Sequence, residues 1–386
     1  MRNAPQIKKN FQALLTLTIL LFIIFPNPAW TEFETAIEEN QQISILLPLS
    51  GPFADLGKAL KEGFELGFAQ QAESSRMNHQ FKIRFFDSEG NPETARALIA
   101  LLNSEGETVI AAGTPLNTTA WTTSQASEKN GLPYLIIGAD QDNLITEKSV
   151  FTFRLTQTRS AGNRMLSAFI DSQDPAIQSM GIISGENPCA LRQARRLRKF
   201  CADKNIDLAI WETYNSNERN FYDLLNLIKE RQPQLLFLAT DPTASRKLWQ
   251  QGRRLELMPT LTIATPINRI PTTDKALLSS YPDKQILYPT PWLEPSDRKY
   301  FSFLENHLQA QGFAGAEVLM ETLRKSPNLT SGKIVKTLET NTMSTVYGKV
   351  SFAGSGQGHQ NQLPWYLYSY GEDGEKQLIF PLPMSP

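Results

Sequence analysis

Short apolar runs alternate along this chain with longer stretches in which apolar positions recur every three or four residues. Residues 43–47 (ISILL) read as a buried strand. The loop 48–55 follows, and then Leu56, Leu60, Phe64 and Gly67 fall on one face of a helix. Strands are predicted again at 81–86, 109–112 and 134–137. Between them lie two more helices. One opens with Pro92 at its first position and presents Ala95, Leu98, Ile99 and Leu102. The other spans 118–129 and stops at Gly131. This β-α-β-α-β-α-β order is the pattern of a parallel sheet covered by helices on both faces. A strand at 150–154 closes the series, and the alternation restarts. Strands are predicted at 180–183, 208–211, 235–238 and 261–263, with helices beginning near Ser160, Ala190, Asn220 and Thr243. Two helices (315–325 and 331–338) and two strand-like pieces (347–352 and 363–370) end the chain. The fold class is α/β, with two doubly wound parallel-sheet lobes side by side.

The N-terminus follows a different pattern. Arg2, Lys8 and Lys9 precede an almost wholly apolar run over 13–25, which Pro26 breaks before polar residues from Thr31. This predicts a secretory signal peptide over 1–30. The run is short against the roughly 20 residues that a bilayer core needs, and a retained N-terminal anchor is the alternative. Export implies a periplasmic, oxidising compartment. Cys189 and Cys201 nevertheless share a helical run with Leu191, Ala194 and Leu197. Twelve helical residues span about 18 Å, against the roughly 7 Å a disulfide tolerates between Cα atoms, so two free thiols are expected. Arg192, Arg195, Arg196 and Arg198 of the same run read as a solvated face, with phosphate binding as the alternative.

A length of 386 residues suits two domains. Thirty-eight basic and 39 acidic residues leave a net charge of −1, which argues against a nucleic-acid partner. His79, His307 and His359 are far apart, and no His/Cys spacing suggests a metal; no cofactor is expected. Enzyme chemistry is not expected either. There is no G-x-S-x-G and no P-loop, and 354–358 (GSGQG) lacks the dinucleotide spacing.

Several segments, in order, resemble those of one family. They are ISILLPLSGPFADLGKALKEGFELG, FKIRFFDSEGNPETARALIALL, GLPYLIIGADQDNLI with VFTFRLTQT, RQPQLLFLATD, GFAGAEVLMETLRKS and VYGKVSFAGSGQGH. Together they resemble the type I periplasmic solute-binding proteins, the branch that includes the branched-chain amino-acid receptors of ABC importers. The resemblance implies two lobes joined by a three-crossing hinge with a ligand cleft between them. Lobe one would be 42–153 plus 292–345, and lobe two 154–291 plus 346–386. It implies a small polar ligand, an inner-membrane ABC permease as partner, and a monomer. A sensory or interaction protein acting on a membrane kinase or envelope enzyme is the rival reading.

The family pattern points to Ser50 in the first loop and to Leu56 on the apolar side of the pocket. Asn117 stands where the family usually has serine; it or Thr118 either caps the following helix or holds a ligand carboxylate. Ala139 and Asp140 match the ligand loop. A carboxylate at Asp140 repels that of an ordinary amino acid, so either the ligand is of another kind or Asp140 points away. Cys189 replaces an aromatic residue of the family, and Asp241 either pairs with a ligand amine or caps a helix. Arg154 is assigned a structural role at the crossover.

Overall fold

The alternation read from the sequence builds two separate sheets. The computed structural model describes residues 41–74, 81–215, 218, 220–239, 244, 247–248, 250–252, 255, 261–264, 286–293, 304, 306–352, 358–361, 363–370 and 376–381. The first sheet has five parallel strands in the order β2-β1-β3-β4-β5: β1 (Gln42–Leu47), β2 (Lys82–Asp87), β3 (Thr108–Gly113), β4 (Tyr134–Ile136) and β5 (Thr152–Arg154). All six residues of β1 are buried. Ile43, Ile45 and Leu47 pack into one layer and Leu46 into the other, as the period of two requires. The layer beneath Leu46 is closed by α2 (Pro92–Glu105) and α3 (Asn117–Asn130), through Ile99, Leu102 and Ala120. Asn91 caps α2 by accepting the N–H groups of Glu93 and Thr94. Gly131 ends α3 at φ 68°, a left-handed stop.

The opposite layer is closed by α1 (Ala54–Ser74) and by a helix from far down the chain, α7 (His307–Lys325). These two helices touch backbone to backbone. A Cβ on Gly63 would lie 2.0 Å from the Gln309 carbonyl oxygen, and one on Gly312 would lie 2.2 Å from that of Leu60. The sequence reading started this last helix at Gly315. It starts eight residues earlier, because Asn306 accepts the N–H groups of Leu308 and Gln309 and caps it. Residues 308–316 are buried on every side, so no amphipathic stripe announces them.

The second sheet has seven strands in the order β14-β13-β10-β9-β8-β6-β7. The parallel part is β6 (Ser179–Gly185), β7 (Asp207–Tyr214), β8 (Leu235–Ala239), β9 (Leu261–Ala264) and β10 (Ile286–Thr290). Helices α4 (Arg159–Asp171) and α5 (Pro188–Lys204) cover one face through Phe169, Ile170, Leu197 and Cys201. Helix α6 (Tyr222–Arg231) covers the other through Leu225 and Ile228. β10 was not foreseen, since Pro289 argues against a strand interior. On the β9 side the pairing ends at Leu287, and Pro289 stands opposite Leu367 across an antiparallel ladder on the other side. β13 (Tyr366–Tyr370) and β14 (Lys376–Phe380) complete this sheet in antiparallel pairing.

After α7 come α8 (Ser331–Thr340) and a hairpin of β11 (Thr342–Thr345) and β12 (Gly348–Ser351). The hairpin spans the lobe boundary expected at 345. Met343, Val346, Tyr347, Val350 and Phe352 all join the core of the first sheet.

Candidate functional site

In a parallel α/β sheet the loops at the carboxyl ends of the strands converge on one edge, where ligands bind. Here β1 delivers Ser50, β3 delivers Asn117 and Thr118, and β4 delivers Ala139 and Asp140. The first loop is held by Asp87. Its Oδ1 accepts the N–H groups of Leu49 (2.8 Å), Ser50 (3.3 Å) and Glu89 (2.8 Å). Burial pushes the Asp87 acid up, but the Ser50 hydroxyl and these N–H groups outweigh it and hold the carboxyl below its ordinary range. Ser50 is exposed and also serves this loop. Leu56 is half-buried and packs on the first core.

Neither Asn117 nor Thr118 caps α3. The cap position is Leu116, which has no side-chain acceptor. The Asn117 amide instead holds the loop after β4. Its Oδ1 accepts the N–H groups of Asp140 and Gln141, both at 3.0 Å, and its Nδ2 donates to Asp140 Oδ1 at 3.0 Å. Thr118 is exposed at the start of the helix. The Ala139 methyl is buried in the layer with Leu46 and Tyr134, so it faces a core and not a cleft.

Asp140 is turned toward Arg159, the first residue of α4. Arg159 donates from Nε to Oδ2 (2.9 Å) and from Nη2 to Oδ1 (2.5 Å), while its backbone N–H reaches the Asp140 carbonyl (2.8 Å). The pair is bidentate, with side chains 26% and 34% exposed, so solvent screens it only in part. Nearby, the Ser160 N–H donates to Asp142 Oδ1 at 3.0 Å. The charge that the sequence reading set against an amino-acid carboxylate is therefore offset by a guanidinium. That reading missed Arg159. The clue was the unbalanced Asp140 itself, which needed a cation from somewhere.

Cys189 lies in the first turn of α5, where Asn187 accepts the Ala190 N–H at 2.9 Å. Its side chain and Asp241 lie outside the described residues. Cys201, on the same helix, is a free and buried thiol whose pKa burial raises to about 11. Among the described residues no group of three or more His, Cys, Asp or Glu side chains could hold a metal ion.

Side-chain amides bind the chain segments between the sheets to one another. Arg154, 1% exposed, donates to Gln360 Oε1 and to the Gln141 carbonyl. Asn361 Nδ2 donates to the Leu155 carbonyl (2.9 Å) and Gln360 Nε2 to that of Thr156 (2.9 Å). Gln157 Nε2 reaches the carbonyls of Pro291 (2.7 Å) and Pro364 (2.8 Å), joining all three segments through one nitrogen. Arg154 has the structural role expected of it; Gln157 and Gln360 carry no sequence signal beyond their polarity. A cavity of about 240 Å³ opens beside this network, lined in part by Asp142, Arg154, Thr158 and Gln360.

A model of the periplasmic binding protein family matches residues 40–375. Among solved structures, an amino-acid ABC transporter substrate-binding protein from Pseudomonas fluorescens Pf-5 is 15% identical, with a TM-score of 0.70 over 88% of this chain and 94% of that one. A branched-chain amino-acid transporter substrate-binding protein from Streptococcus pneumoniae, solved with isoleucine, is 14% identical with a TM-score of 0.66, covering 88% and 99%. A solute-binding protein from Rhodopseudomonas palustris, solved with 4-hydroxybenzoate, is 14% identical with a TM-score of 0.63, covering 88% and 96%.

Proposed function

This chain is a member of the periplasmic binding protein family, and we propose that it captures a small polar solute between two lobes and presents it to an inner-membrane ABC permease. The observation that carries this reading is the meeting of three chain segments between two α/β sheets, where Gln157 joins residues 291 and 364. Such a junction lets two binding faces close over a solute that touches both, and the solute favours the closed form by that difference in contact. We assign residues 1–30 to a cleaved export signal, which N-terminal sequencing of the mature protein tests. Lobe one comprises 42–153 plus 292–345 and lobe two 154–291 plus 346–386, with the β11–β12 hairpin reaching across to the first core. Ser50, Thr118 and the β4 loop line the lobe-one face, and Cys189 and Asp241 belong to the lobe-two face.

A second reading follows from one specific observation. Asn117 and Asp140, at positions where the family presents small hydroxyl residues to a ligand, are occupied by each other and by Arg159. A receptor-like fold with that face closed suits a sensory or interaction protein. A thermal-shift screen of amino acids, amides, polyamines, sugars and organic acids separates the two. A ligand at one hundred times its dissociation constant adds about 2.7 kcal/mol to stability. A clear rise with one class supports capture; a flat screen supports the interaction role.

A further inference from the structure

Three stretches of chain wall the cavity beside the junction. The loop after β4 contributes Asp142 and Glu147, the crossover Arg154 and Thr158, and the returning segment Gln360. Backbone contacts fix these walls. The Arg154 N–H donates to the His359 carbonyl at 3.0 Å, and a Cβ on Gly358 would lie 2.6 Å from the Thr146 carbonyl oxygen. At about 240 Å³ the cavity is larger than a lone water needs and smaller than the roughly 300–1,000 Å³ of pockets for drug-sized ligands. Among the described residues, none of those assigned to the cleft faces lines it.

Most of the polar lining is already engaged. Gln360 Oε1 accepts from Arg154 Nε, and its Nε2 donates to the carbonyls of Thr156 and Asn361. Thr158 Oγ1 accepts the Ala161 N–H at 3.1 Å. Three groups stand apart from these bonds. Arg154 is 1% exposed, its Nη1 donates to the Gln141 carbonyl, and its Nη2 makes no hydrogen bond among the described residues. Asp142 accepts the Ser160 N–H on Oδ1 alone. Glu147, exposed, makes no hydrogen bond or ion pair among the described residues. Burial pulls the Arg154 pKa down to about 10 against the opposing pull of Asp142 and then Asp140, so the guanidinium is only partly compensated. Opposite charges therefore border one void, the cation at its buried end and the two acids at its exposed end, and among the described residues no ion pair joins them. A guanidinium fork fits a carboxylate, and carboxylates fit an ammonium group.

We propose that this cavity is a second solute site, taking a small zwitterion whose carboxylate meets Arg154 Nη2 and whose ammonium group lies between Asp142 and Glu147. The site goes beyond solute capture and stands with either reading of the cleft. The test is titration calorimetry of the wild type and of an Asp142→Asn, Glu147→Gln double variant. The probes are glycine, β-alanine and 4-aminobutyrate, with acetate and methylammonium as the two halves of the ligand. Both acids are exposed, and Asn keeps an oxygen for the Ser160 N–H, so the variant should melt with the wild type. At least one zwitterion is expected to bind saturably, with each half at least tenfold weaker. The double variant is expected to weaken that zwitterion at least tenfold and not to weaken acetate. Acetate binding as tightly as the zwitterions reduces the cavity to a carboxylate site and overturns the proposal. Equal zwitterion affinity in the double variant puts the binding elsewhere and overturns it too, while leaving solute capture standing. Silence from every probe also overturns it, and solute capture is then decided by the wider thermal-shift screen.

Discussion

Glu317 of α7 is an acid held in a dry place. Burial raises its pKa to about 7, although the Val346 N–H, donating to Oε2 at 2.8 Å, acts to lower it. The folded value lies above the unfolded one. Its contribution is therefore fully present below about pH 4.5 and is lost as pH rises through about 7. We expect Glu317→Gln, whose amide oxygen still accepts the Val346 N–H, to remove this loss. The gain should be on the order of 2 kcal/mol at pH 8 and vanish near pH 4, measured by urea unfolding at both pH values. Asp140 makes the opposite case, an acid whose charge is matched. Removing either partner of the Asp140–Arg159 pair should cost about 1–2 kcal/mol. The double variant should cost less than the sum, and a double-mutant cycle reads the coupling. If the two losses simply add, the bidentate pair contributes nothing of its own. At this scale the sequence places Ser50, Asn117 and Asp140 just after strand ends, because loop positions follow the strands. It did not say which way Asp140 turns, since that depends on Arg159, nineteen positions on.

Elements were the most legible level. β1 and α2 follow from period and caps, and Gly131 marks the end of α3. What escaped was wherever burial is complete or pairing overrides composition: the first half of α7, and β10 with its Pro289. The α1–α7 contact explains why. Its glycines look like helix breakers in isolation and become helix contacts only when a second backbone arrives. Gly63→Ala should therefore force the two helices apart and cost more than about 2 kcal/mol, as overpacking does. Gly332, in the first turn of α8, has nothing within 4 Å of an added Cβ. Gly332→Ala should be neutral or stabilise by up to about 1 kcal/mol, since it restricts only the unfolded chain. Thermal melts of both variants check the contrast, and equal melting points would mean that the helices can slide without cost.

The two-sheet architecture was legible from the alternation and from the order of the resembling segments; the junction between the sheets was not, because its bonds join residues up to about 200 positions apart. There Gln157 ties all three segments together, among the described residues, through the Pro291 and Pro364 carbonyls. Gln157→Ala leaves the Pro291 and Pro364 carbonyls without their donor, and we expect a loss of about 1–3 kcal/mol. Calorimetry should then show two melting steps in place of one, as the sheets lose their mutual support; a single step would place the coupling elsewhere. The route of the chain has a further consequence, for the order in which the molecule comes into being. The first sheet is made early, but α7, which seals one of its faces against α1, leaves the ribosome about 150 residues after the sheet's last strand. Until then Ile43, Ile45, Leu60 and Phe64 have no complete cover. An early sheet is thus among the last parts to become stable, and the high contact order of that closure slows its folding.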